Sequence, residues 1–141
     1  MSVEQNKQTA RRFYEEVLNK GDLDALDEIA VTGYETHDPL PGQRTGLVGL
    51  KHRVNMLREG LAPQFTIQDV IAEGDKVVVR WINSGTMVGE FLGMPANGKS
   101  FSIPGIDIYR LEGGKLAEHW HVVDALGQMM QIGLFPSPAG A

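Results

Sequence analysis

Four histidines occur in this 141-residue chain, and two of them stand in EHWHVVD, Glu118 to Asp124, with an acid at either end. Such a stretch admits three readings. Carboxylates and imidazoles in one cavity can exchange protons with a substrate near neutral pH. His119 and His121, at i and i+2 on a strand, can present two imidazoles to a metal, with His37 or an acid as a third ligand. The third reading is an ordinary strand with a polar edge, its last residue Asp124 capping the ALGQMMQIG segment that follows.

Period-two alternation puts Trp120, Val122 and Asp124 on one sheet face and His119, His121 and Val123 on the other, unless a bulge intervenes. A two-residue turn at Gly113-Gly114 sets Asp107 opposite Trp120 and Ile108 opposite His119, so Asp107 joins the face of Asp124. Two carboxylates sharing an apolar cavity lift the pKa of one of them, which suits an acid–base group, although Asp107 fits a hydrogen-bonded structural role as well. His119 assists only if the strand bulges; otherwise the two histidines are left for solvent or a subunit contact. No metal is expected, because H-x-H recurs on strands by chance and the nearest carboxylate faces the other way.

His37, just before a proline, either closes the mouth of a pocket or bonds the turn. Tyr14, Trp81 and Trp120, with Phe13, are walls for a flat apolar substrate or plain core. Arg80, in VVVRWI, needs an acid on a neighbouring strand or a substrate carboxylate.

These residues must be positioned by helices followed by strands. Ala10, Phe13, Tyr14, Val17 and Leu18 recur at helical spacing, Ser2 and Gln5 fit a capping box, and Gly21 suits the helix end. Asp22 caps a shorter helix with Leu23, Leu26, Ile29 and Ala30. Leu47, Leu50, Val54 and Leu57 mark a third helix, closed by Gly60 and Pro63. From Phe65 onward four strands are expected, QFTIQDVIA, KVVVRWINSGTM, KSFSIPGIDIYRL and KLAEHWHVVD, paired antiparallel through EGDK and EGGK. The pattern is α+β, one domain over 1–141, with 136–141 loose.

Composition narrows the classes of function. A formal charge of −5 with no basic cluster argues against nucleic acid or an anionic membrane as partner. The absence of cysteine removes disulfides, thiolate metal sites and a thiol nucleophile. With no signal-like or membrane-spanning apolar run, a cytoplasmic protein is expected.

GEFLGMPANGKSFSIPGIDIYRLEGGKLAEHWHVVDALGQMMQIGL, Gly89 to Leu134, resembles the C-terminal half of the SnoaL-like polyketide cyclases, in the NTF2-like superfamily. FYEEVLNKGDLDALDEI and the turn His37-Asp38-Pro39 match the family's opening in style. The resemblance implies a cone-shaped α+β barrel, a curved antiparallel sheet with helices over an apolar cavity, often dimeric through the outer face of the sheet. It implies an intramolecular aldol condensation that closes a ring of a polyketide ester without metal or organic cofactor, and it puts the acid–base Asp of that family on Asp124. The superfamily also holds isomerases and epoxide hydrolases, and a small-molecule-binding dimer without catalysis is the non-enzymatic alternative. A homodimer is expected, because apolar side chains on both faces of KVVVRWI and IPGIDIY leave the face away from the helices in need of cover; His119 and His121 are expected at or near that interface.

Overall fold

The structure is a computed structural model and describes residues 2–136. The expectation of a loose tail from 136 onward falls, apart from Pro136, outside the described residues.

Helix α1 (Val3–Arg12) begins with the expected capping box, Ser2 accepting from the Gln5 N–H while the Gln5 side chain accepts from Ser2. The helix then widens into a π-helical turn, Phe13–Leu18, in which the Asn19 N–H reaches back five residues to the Tyr14 carbonyl at 2.9 Å. Apolar spacing cannot distinguish 3.6 residues per turn from this wider winding. The turn buries Phe13, Tyr14, Val17 and Leu18 together. Helix α2 (Ala25–Ile29) leads into β1 (Ala30–Thr36), and α3 spans Gly46–Leu61. That third helix does not stop at Gly60, which is buried within it against Phe91. It ends where Ala62 takes a left-handed φ of 42° just before Pro63.

Four strands complete the sheet: β2 (Gln64–Glu73), β3 (Lys76–Thr86), β4 (Ser100–Glu112) and β5 (Lys115–Val123), followed by α4 (Ala125–Gln131). The spatial order is β1-β5-β4-β3-β2, with β1 parallel to β5 and every other pair antiparallel. The fold is thus α+β with a mixed, open sheet whose edges are β1 and β2. Burial alternates along β4, with Phe101, Ile103, Asp107, Tyr109 and Leu111 turned inward beneath the helices.

One detail reverses a face assignment. Gly113 and Gly114, at φ 54° and 79°, make the tight turn, and Glu112 pairs with Lys115 and Leu111 with Leu116 as expected. The next pair is Arg110 with Glu118, so Ala117 is an extra residue on β5. A one-residue slip turns every later side chain over. Asp107 therefore pairs with His121 and Tyr109 with His119, and both histidines face the helices. Trp120 and Val122 turn outward. The expected pairing of Asp107 with Trp120, and of the histidines with the outer face, is corrected by this bulge.

Candidate active site

Between the inner face of the sheet, the π-helical turn and α3 lies a cavity that is partly open to solvent. Its walls are mainly apolar, including Phe13, Leu57, Phe65, Trp81 and Ile103. Asp107, His119 and His121 converge on one part of that wall.

Asp107 is 6 % exposed and accepts three hydrogen bonds through its two carboxylate oxygens. Oδ1 accepts from His119 Nε2 at 2.8 Å and lies 3.9 Å from His121 Nδ1; Oδ2 accepts from the Trp81 indole at 2.7 Å and from the Tyr14 hydroxyl. Burial pushes the Asp107 pKa up, but the His119 hydrogen bond and charge, with the bonds from Tyr14 and Trp81, outweigh it and hold the carboxyl below its usual range. Burial beside that carboxylate raises the Tyr14 hydroxyl well above its ordinary pKa, so it stays a donor.

Each partner is placed by an identifiable local feature. The π-helical turn carries Tyr14, whose hydroxyl also meets Tyr109 at 2.8 Å. Trp81 fits because Gly105 stands across from it on β4, where a Cβ would sit 2.2 Å from the indole ring. His119 is fixed from both sides, since Thr36 Oγ1 lies 2.8 Å from its Nδ1. An ionised Asp107 can only accept, so the His119 Nε2 carries the proton, and in the neutral ring Nδ1 accepts from Thr36. The His37-Asp38 turn holds β5 by its backbone: the His37 N–H donates to the His119 carbonyl at 2.9 Å, and the His121 N–H donates to Asp38 Oδ2 at 2.8 Å.

His121, expected on the outer face at or near a subunit contact, lines the cavity. Its Nδ1 is buried and has no hydrogen-bond partner among the described residues. Burial and the nearby Arg53 cation lower its pKa to about 4, with Asp107 opposing them, so the ring is neutral near pH 7. Arg53, on α3, also lines the cavity; its Nη1 bonds the Asp38 carbonyl and Gln43 Oε1, each at 3.3 Å, and no Asp or Glu pairs with it among the described residues.

The remaining sequence candidates lie elsewhere. Asp124 is exposed, accepts from the Gly127 N–H at 2.9 Å as the N-cap of α4, and does not line the cavity. The bulge accounts for this, since the face it was assigned to is the outer one. Trp120 and His37 stack on each other on the outside, centroids 5.0 Å apart, with His37 bonded to Glu118 at 2.7 Å. Arg80 pairs with Asp69 on the neighbouring strand. Two sets of three possible metal donors occur among the described residues, Asp107-His119-His121 and Glu35-His37-Glu118. In the first, protein hydrogen bonds already occupy Asp107 and both nitrogens of His119, and a metal would have to displace some of them.

The SnoaL-like polyketide cyclase family model matches residues 8–132. The chain belongs to that family. It is 40 % identical over 133 residues to aklanonic acid methyl ester cyclase DauD of Streptomyces sp. (strain C5), covering 89 % of this chain and 81 % of that one. A shorter match, 40 % identical over 57 residues, is to aklanonic acid methyl ester cyclase DnrD of Streptomyces peucetius, 40 % of this chain and 39 % of that protein. Among solved structures, TsrD from Streptomyces laurentii superposes with a TM-score of 0.87 at 32 % identity, over 96 % of this chain and 99 % of that one. IdmH from Streptomyces antibioticus gives 0.78 at 26 % identity, over 92 % and 99 %. None of the helices described in this SnoaL-like chain is long and apolar enough to cross a membrane.

Proposed function

We propose that the chain catalyses an intramolecular aldol ring closure of a polyketide-like carbonyl ester, with His121 as the group that moves the proton. The observation that carries this is the unpartnered Nδ1 of His121, a residue that lines an apolar cavity, 3.9 Å from an ionised Asp107. A carbon between two carbonyls is already acidic, so one neutral imidazole held against it suffices as base. The imidazolium that forms is stabilised by Asp107, and the proton returns to the carbonyl oxygen that becomes an alkoxide as the new carbon–carbon bond forms. Asp107 and His119 are positioning residues in this scheme. Arg53, on the mainly apolar wall of the cavity, supplies positive charge for the enolate oxygen. No step passes through Asp124, and neither a metal nor an organic cofactor is part of the scheme.

The substrate named for DauD and DnrD, aklanonic acid methyl ester, is the first compound to test. Incubation with the purified protein, followed by chromatography and mass spectrometry, should give an isomeric cyclised product faster with the native chain than with His121→Gln. Equal rates would defeat the assignment. Deuterium exchange at the activated carbon of a panel of aromatic β-keto esters extends the test to related esters.

The chain is further proposed to work as a homodimer built on the outer face of the sheet. There, cross-strand pairing aligns Ile71, Val78, Ile108 and Trp120 in one row and sets Ile106 beside Val122 in the next. Ile71 is 63 % and Val122 77 % exposed in the single chain. A second copy covers such a face symmetrically. The histidines, being inside, take no part in it.

A further inference from the structure

One side chain in the cavity has no task in the scheme above. Along β3 the inward positions read Val77, Val79, Trp81 and Asn83, an apolar series broken at its last member. Asn83 is 4 % exposed and lines the cavity, and its Oδ1 has no hydrogen-bond partner among the described residues. The only other such amide oxygen among them, that of Asn6, lies on α1 and lines no described cavity. A buried amide left unpaired is unfavourable, and an apolar residue would serve the wall better.

Its place relative to the proton-transfer group is set by register. Val79 pairs with Asp107 and Asn83 with Ile103, so four residues of β3 separate the two rows, about 13 Å along an extended strand. Trp81 occupies the inner face between them. The cavity thus has two polar ends joined by an apolar wall that includes Trp81, Phe65 and Ile103.

We infer that Asn83 is a specificity residue that hydrogen-bonds an oxygen substituent at the end of the substrate remote from the reacting carbon. On the cyclase reading the substrate is a flat aromatic polyketide, and Asn83 selects those with a hydroxyl or carbonyl on the distal ring. An amide both donates and accepts, so it pairs with either. This rests on the cyclase reading for the location of the reacting end.

The test is binding, not turnover. Anthraquinone and 2-hydroxyanthraquinone are titrated into the native protein and Asn83→Leu, followed by quenching of tryptophan fluorescence, and the unfolding temperature of each protein is measured. The native chain should bind the hydroxylated compound about 10-fold more tightly. In Asn83→Leu the preference should fall to about 2-fold or less, anthraquinone should bind at least as well as before, and the unfolding temperature should not drop. Asn83→Ala should lose the preference as well. A preference that survives both substitutions overturns the inference, as does a sharp fall in unfolding temperature of Asn83→Leu, which would mark a structural amide. Neither outcome touches the His121 scheme. Failure of both compounds to bind the native chain would overturn the flat-aromatic class and weigh against the cyclase reading as well.

Discussion

His121 makes a prediction that needs no substrate. Its side chain is 12 % exposed, and burial with the Arg53 charge lowers its pKa from 6.5 to about 4. The unfolded chain therefore takes up a proton near pH 6.5 that the folded chain refuses until about pH 4. Stability must fall as pH falls through that window, and below it both states are protonated. At about 1.36 kcal/mol per pH unit the full difference is roughly 3 kcal/mol, of which about 2 kcal/mol is lost between pH 7 and pH 5. Asp107 does not contaminate that interval. Its folded pKa is held below the ordinary carboxylate value, so its stabilisation is lost only at lower pH. Urea denaturation at pH 7 and pH 5, at one fixed chain concentration, should show the native protein losing about 2 kcal/mol more than His121→Gln. Equal losses, or an imidazole titration by NMR with His121 at pH 6 or above, would show that His121 is not held neutral by burial and Arg53.

Asp107→Ala leaves His119, Tyr14 and Trp81 without their acceptor and should cost about 3–5 kcal/mol in denaturant, by analogy with breaking a buried ion pair. A loss under about 1 kcal/mol would mean the carboxylate is not held as described. Gly105→Ala puts a Cβ 2.2 Å from Trp81, and overpacking of that kind should lower stability by roughly 1–3 kcal/mol and weaken ligand binding. Sedimentation at micromolar concentration should show a dimer of the 15.5 kDa chain, split by Val122→Glu; a monomer in both would leave the outer face uncovered and the dimer refuted. Elemental analysis of untagged protein should give far less than one Zn, Fe or Mn per chain, and a value near one would turn attention to Asp107, His119 and His121 as ligands.

Much of the architecture was legible because apolar spacing and turn residues act locally. The capping box at Ser2, the first helix face and the Gly113-Gly114 turn all follow from a few adjacent residues. The parallel pairing of β1 with β5 did not, since it joins segments some 80 residues apart. The site was half legible. Asp107 and His119 were identified as candidates, but a single extra residue, Ala117, decided which face they share. KLAEHW carries no Gly or Pro to announce a bulge there. The two apolar-flanked histidines therefore looked like packing, while Asp124 borrowed its apparent place in the cavity from an alternation that had already slipped. The His37-Asp38 turn was noticed for its histidine, yet its acid is the part that grips the site, through the backbone of His121. A long-range hydrogen bond of that kind leaves no periodic trace.

The proposed scheme moves the proton through His121 and not through Asp124. Single-turnover ring closure, measured for the native chain, His121→Gln and Asp124→Ala with the same polyketide ester, tests it most directly. General acid–base groups contribute about 10²–10⁴-fold, so His121→Gln should be slowed by at least about 100-fold. Asp124→Ala should lose only its helix cap, about 1 kcal/mol of stability, and keep ring closure within about threefold of native. A 100-fold loss in Asp124→Ala with His121→Gln near native would contradict the account.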